Sequence, residues 1–145
     1  MPQINHSLLM PFSTEKMYHL VNDIKSYPQF LSGCIASQVV SVNYFQMTAA
    51  IEISIAGIIH QTLVTRNTLM HNHSINIELL EGPFKQLNGM WLFHDKKKEM
   101  CQVQLSLNIE FTNILMEMTF QKIVLTLNRN LLETFRKRAQ EVYTV

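Results

Sequence analysis

The chain is short of almost everything that interrupts or staples a fold. Its 145 residues include four glycines, four prolines, two cysteines and one tryptophan. Cys34 and Cys101 lie far apart and form no CxxC. That spacing excludes a disulfide scaffold and points to buried, inert thiols in a reducing compartment, so the expected location is the cytoplasm. No apolar run approaches the roughly 20 residues that a membrane-spanning helix needs. The opening MPQINHSLLM has no basic stretch followed by an apolar one, so no signal peptide is expected. Twelve basic residues against eleven acidic ones give a net charge of +1, which is not the balance of a dedicated nucleic-acid binder. A local basic patch stays compatible with it.

Catalytic patterns are missing as well. There is no GxSxG, no HExxH and no glycine-rich phosphate loop. His71 and His73 flank Asn72 in an expected turn and read as polar loop residues, so neither a metal nor a catalytic residue is expected. Low-complexity segments, repeats and linkers are absent too. The chain therefore reads as a single domain over residues 1–145, long enough to bury a core without staples.

What is present is periodicity. Ile4, His6, Leu8 and Met10 alternate with polar neighbours and predict a first strand. Pro11-Phe12-Ser13 then opens a helix capped by Ser13, with Glu15 in its first turn and Met17, Leu20, Val21 and Ile24 as its apolar stripe. In SYPQFL, Pro28 suits the first turn of a second short helix ending near Gly33. FQMTAAIEISIAG and MCQVQLSLNIEF alternate cleanly, which predicts antiparallel strands with one dry and one wet face. Residues 35–42, 59–68 and 74–80 read as further strands. EGPFKQLNGMWLF places a Gly-Pro turn before another, and residues 95–99 read as a charged hairpin turn.

From Asn113 to about Val142 there is no glycine or proline, and the period becomes helical. Met116, Phe120, Ile123, Val124, Leu127 and Leu131 form one stripe, which drifts onto Leu132, Phe135, Ala139 and Val142. Ile114, Leu115, Met118 and Leu125 lie off that stripe, so the first half is apolar nearly all round. The order is strand, two short helices, about six strands and one long helix. It predicts an α+β fold in which a curved antiparallel sheet wraps the long helix and leaves room between them.

The dry row of the two cleanest strands holds no acid or base, while Glu52, Glu78 and Glu110 take the wet one. General acid–base catalysis has little to work with there. His6 is the exception, and among apolar neighbours it reads as a core residue. Trp91 and Phe93 share one parity of their strand. Either they fill an ordinary core, or they wall a mostly apolar pocket with Ile51, Ile53, Leu105, Phe120, Val124, Leu127 and Leu131, rimmed by Tyr27, Phe30 and Leu31. A second feature is the row Lys122, Arg129 and Arg136, spaced by seven opposite the apolar stripe. It is either a solvated face or a contact for phosphates of RNA or of anionic lipid.

NDIKSYPQFLSGC, MTAAIEISIAG, TRN at 65–67, EGPFKQLNGMW, EFTN at 110–113 and the closing RAQEVY resemble the bacterial ribosome-association toxin (RatA) family. That family is similar to the mitochondrial coenzyme Q-binding proteins, within the START-like, polyketide cyclase/dehydrase superfamily. The resemblance implies a helix-grip fold and two functions. One is non-catalytic binding of ubiquinone, or a similar isoprenoid, in the cavity between sheet and helix, supporting respiration. The alternative is a toxin of a toxin–antitoxin system that binds the large ribosomal subunit and blocks subunit association. It also leaves open a peripheral contact with the inner membrane, and names no antitoxin. Ile55 in SIAG stands where the family is expected to carry Lys, and HDKKKEM is more basic than the family pattern.

Overall fold

The computed structural model describes residues 3–55, 57 and 59–144, and the side chains of all of these except those at 55, 59, 123, 127 and 128. The alternating segments become seven strands: β1 (Gln3–Met10), β2 (Cys34–Val42), β3 (Gln46–Ile55), β4 (Ile59–Met70), β5 (Ser74–Glu81), β6 (Phe84–Lys97) and β7 (Met100–Phe111). They form one antiparallel sheet in the order β1-β7-β6-β5-β4-β3-β2. Short turns join each neighbouring pair from β2 to β7, so only β1 reaches its place from afar, as the edge partner of β7. Asn72 at φ 58° and Glu99 at φ 59° close two of these turns in the left-handed region.

Ser13 caps α1 (Thr14–Asn22) by accepting the Lys16 amide at 3.2 Å. The second short helix is a 3₁₀ segment, Ile24–Gln29. Pro28 is its fifth residue rather than part of its first turn. Just after it the Phe30 and Leu31 amides both donate to the Tyr27 carbonyl and end the segment. Gly33 follows at φ 87°. β6 runs on to Lys97, so the 95–99 turn is narrower than the charge cluster suggested.

The long helix, α2 (Ile114–Tyr143), has 30 residues and begins at Asn113, whose side chain accepts the Met116 amide at 2.9 Å. It lies against the dry face of the sheet. Phe120, Leu132, Phe135 and Ala139 are buried, as the stripe requires. Val142 is 48% exposed, and Tyr143 takes its place by packing its ring on Phe12 at 5.7 Å. The helix-grip architecture thus follows from one dry sheet face and one apolar helix stripe burying each other. Among the described residues, no helix is long and apolar enough to cross a membrane.

Candidate functional site

Cross-strand register sets the face that meets α2. Met47, Asn67, Ile77, Gly89, Leu107 and Ile4 form one row across it, and Leu69, Ile75, Trp91 and Leu105 form the next. At one end Trp91 stacks on Phe93 with centroids 6.4 Å apart and meets Phe135 edge-on at 5.1 Å. Phe30 and Tyr27 close on the same Phe135 ring at 5.3 and 5.7 Å. At the other end Phe120 packs on Phe84 and Phe111, at 5.1 and 6.2 Å. Two aromatic clusters therefore join the helix to its surroundings, one around Phe135 and one around Phe120.

The anticipated pocket residues divide accordingly. Tyr27, Trp91, Phe93, Leu105 and Phe120 are buried in these clusters and their surroundings. The Tyr27 hydroxyl donates to the Val21 carbonyl, and burial pushes its pKa up, helped by Asp23 and Cys34. Phe30, Leu31, Ile51, Ile53, Val124 and Leu131 stay half-buried on the same face. The side chain of Leu127, like that of Ile55, lies outside the described residues. Leu63, Ile77, Leu79 and Leu107 were not anticipated, yet they are half-buried on that face too. The apolar side chains of this face are therefore not all fully covered.

In the helix-facing rows of residues 47–53, 61–69, 75–79, 87–93 and 103–109 there is no acid, lysine or histidine. His6, opposite Leu105, is exposed at the sheet edge rather than set in the core. Both cysteines are free and buried, and burial raises the Cys34 thiol and pushes Cys101 up to about 11. Neither is a ready nucleophile. Among the described residues no group of three His, Cys, Asp or Glu could hold a metal.

Two residues that sequence reasoning passed over interrupt the dry face. Thr65 and Asn67 are buried on it, and the Thr65 hydroxyl donates to Asn67 Oδ1 at 3.0 Å. They were legible: both share the parity of Leu63 and Leu69, inside the TRN block already noted. Two surface depressions lie elsewhere. One, of about 420 Å³, is lined by His19, Asn22, Asp23 and Arg138 at the end of α1. The other, of about 740 Å³, sits over the outer face near Asn76, Glu78, Asn88 and Asn108.

The cationic row on α2 is uneven. Lys122 and Arg129 are exposed, and neither has an ion-pair partner among the described residues. Arg136 is partly buried and paired with Glu133. Arg138 turns inward, its guanidinium 5.2 Å over the Phe30 ring and bonded to Gln29. Lys85 pairs with Glu110 at 3.3 Å. Around Lys122 and Arg129, Ile114, Leu115, Met118 and Leu125 are 74, 70, 66 and 51% exposed.

The family model described as "Polyketide cyclase / dehydrase and lipid transport" matches residues 10–136. The chain belongs to that family. Within it, the chain is similar to the ribosome association toxin RatA of Escherichia coli K12, 46% identical over 99% of this chain and 90% of that one. A more distant relative is the mitochondrial coenzyme Q-binding protein COQ10 homolog B of Xenopus laevis, at 22% identity over 97% of this chain and 59% of that one. Among solved structures, the Zhui aromatase/cyclase of Streptomyces sp. R1128 superimposes with a TM-score of 0.86 at 13% identity, covering 98 and 96% of the two chains. A START superfamily protein of Mycobacterium smegmatis does so at 0.78 and 13%, covering 97 and 98%. These likenesses establish the helix-grip fold. The fold is thus shared with an aromatase/cyclase, while the relative at high identity is named as a toxin.

Proposed function

We propose that this protein acts as a RatA-type toxin, binding the large ribosomal subunit and inhibiting translation by blocking subunit association. The observation that carries the proposal is the 46% identity with a ribosome association toxin along essentially the whole of both chains. The α2 surface is the contact we assign. Lys122 and Arg129 are free to meet phosphates, and the exposed Leu115, Met118 and Leu125 beside them give apolar area for a ribosomal protein or a base. The test is sedimentation of ribosomes on sucrose gradients with and without the purified protein. The protein should co-sediment with the large subunit and shift material from the joined particle to free subunits. The double reversal Lys122→Glu/Arg129→Glu should abolish both effects while melting like the wild type. A wild-type protein that stays at the top of the gradient would end this reading.

One observation favours a second reading. Ile51 and Ile53 on the dry face of the sheet and Val124 and Leu131 on the α2 stripe are only half-buried, and the strand rows of that face carry no acid, lysine or histidine. An apolar surface of this kind suits a hydrophobic isoprenoid-like molecule such as ubiquinone, held without catalysis. The distant coenzyme Q-binding relative supports this less strongly than the toxin relatives support the first. Purification followed by solvent extraction and mass spectrometry tests it directly: a stoichiometric isoprenoid supports it, and an empty protein that takes up no short-chain ubiquinone overturns it.

A further inference from the structure

Among the described residues, three buried side-chain oxygen or nitrogen atoms have no hydrogen-bond partner, and two of them belong to residues that line one depression. Those two are Asn22 Oδ1 and Arg138 Nε; the third, Asn72 Oδ1, lies in the turn before β5. Leaving a buried polar atom unmet is unfavourable, so a pair of them in one wall calls for a common explanation. The depression, of about 420 Å³, sits where the last turn of α1 meets the last turns of α2. One unmet atom is an acceptor and the other a donor.

The charges around them narrow what could fill it. Arg138 lays its guanidinium 5.2 Å over the Phe30 ring, donates through Nη2 to Gln29 at 2.6 Å and pairs through Nη1 with Glu141 at 3.5 Å. Its charge is thus already engaged, and Nε is left over. Asp23 adds a carboxylate to the wall, and both helices end here with the negative pole of their dipoles. A phosphate or carboxylate is disfavoured by these, and a cation by Arg138. A neutral guest remains, offering a donor to Asn22 and an acceptor to Arg138. A lone carboxamide does so but leaves most of the volume empty. A nucleobase carries an N–H donor beside a ring-nitrogen or carbonyl acceptor on a flat body, and Leu20, Val142 and the Tyr143 ring supply contact for its faces.

We propose that the depression between the ends of α1 and α2 is a nucleobase-binding site. Asn22 Oδ1 accepts an N–H of the base, and Arg138 Nε donates to its ring nitrogen or carbonyl oxygen. The base reaches both atoms by turning aside Val142, which is 48% exposed. Its source is a free nucleoside or an unpaired base of RNA. In the RNA case the site deepens the ribosome reading above and rests on it; in the nucleoside case it stands apart from that reading.

The test uses two purines of one shape: adenosine, whose 6-amino group donates beside its ring nitrogens, and purine riboside, which lacks that amine. In equilibrium dialysis the wild type should bind adenosine about tenfold tighter, the worth of one net hydrogen bond. Asn22→Ala should erase that preference and leave purine riboside within about twofold. It should also melt no lower than the wild type, because it removes an unmet buried acceptor. Arg138→Lys keeps the charge and loses Nε, so it should weaken both purines alike. Co-sedimentation with the large ribosomal subunit separates the two sources. A loss of about tenfold in Asn22→Ala assigns an RNA base, and unchanged co-sedimentation assigns a free nucleoside. Wild-type protein that stays out of the ribosome fractions removes the RNA source together with the ribosome reading, and the dialysis result then decides the site alone. Wild-type protein that binds neither purine, with Asn22→Ala sedimenting unchanged, overturns the site. Equal affinity for the two purines, unmoved by Asn22→Ala, overturns it as well.

Discussion

A methyl group at Gly89 has nowhere to go. A Cβ built there would lie 2.4 Å from Leu107 Cδ2 and 2.4 Å from the Ser106 carbonyl oxygen. The leucine could move, but the carbonyl belongs to the neighbouring strand of the ladder. Gly89→Ala should destabilise the protein by about 1–3 kcal/mol, read as a lower urea midpoint at unchanged slope. Cys101 makes a prediction about pH. It is fully buried, and its thiol is raised to about 11 from the usual range near 9 by burial first and by Asp95 second. A raised folded pKa means that the folded state holds its proton longer. This contribution is therefore complete below about pH 9 and lost as pH rises toward 11. The melting temperature should fall across that window. Cys101→Ala should melt lower at pH 8 but fall less steeply between 9 and 11; an equal slope in both proteins would assign the fall to other groups such as Tyr27.

At the scale of elements, α2 depends on its first turn. Its N-terminal half is exposed on Ile114, Leu115 and Met118, so tertiary burial holds it only through Phe120 and the stripe behind. The Asn113 side chain closes one of the four unpaired amides there. Asn113→Ala should cost about 1 kcal/mol, with the loss of helical signal by circular dichroism moving to lower urea. Much of this was legible in advance. Strand and helix boundaries followed from period two giving way to period 3.6, and Ser13 and Asn113 announced their caps. What was not legible was the 3₁₀ character around Pro28, because i→i+3 and i→i+4 turns share the same short-range apolar spacing. The inward fold of Arg138 was hidden for a different reason: Phe30 and Gln29, its partners, lie more than a hundred residues away.

For the molecule as a whole, a net charge of +1 limits what electrostatics can contribute to any nucleic-acid contact. Among the described residues, Lys122 and Arg129 stand exposed and without an ion-pair partner on the assigned α2 face. If they neutralise about two phosphates, the logarithm of ribosome affinity should fall against log salt with a slope of roughly −1.5. A much steeper slope, measured by co-sedimentation at several salt concentrations, would place the contact on a larger basic surface than this face offers. Along α2, Lys122 and Arg129 are exposed whereas Val124 and Leu131 on the apolar stripe are half-buried. Reversing the two cations should therefore leave the binding of an apolar probe unchanged.

The sequence alone determined the elements and the dryness of one sheet face. Both are local properties, written in residue spacing and in which parity carries the acids. It also named the residues that would meet, because a dry sheet face and an apolar helix stripe have no better partner than each other. The tertiary structure decided how completely they meet. Trp91 turned out to be packed against Phe135 with Phe93 stacked on it, whereas Ile51 and Leu131, equally apolar, stay half-buried. Parity shows that Asn67 faces inward, but only the packing shows that it is buried there with its Oδ1 accepting the Thr65 hydroxyl.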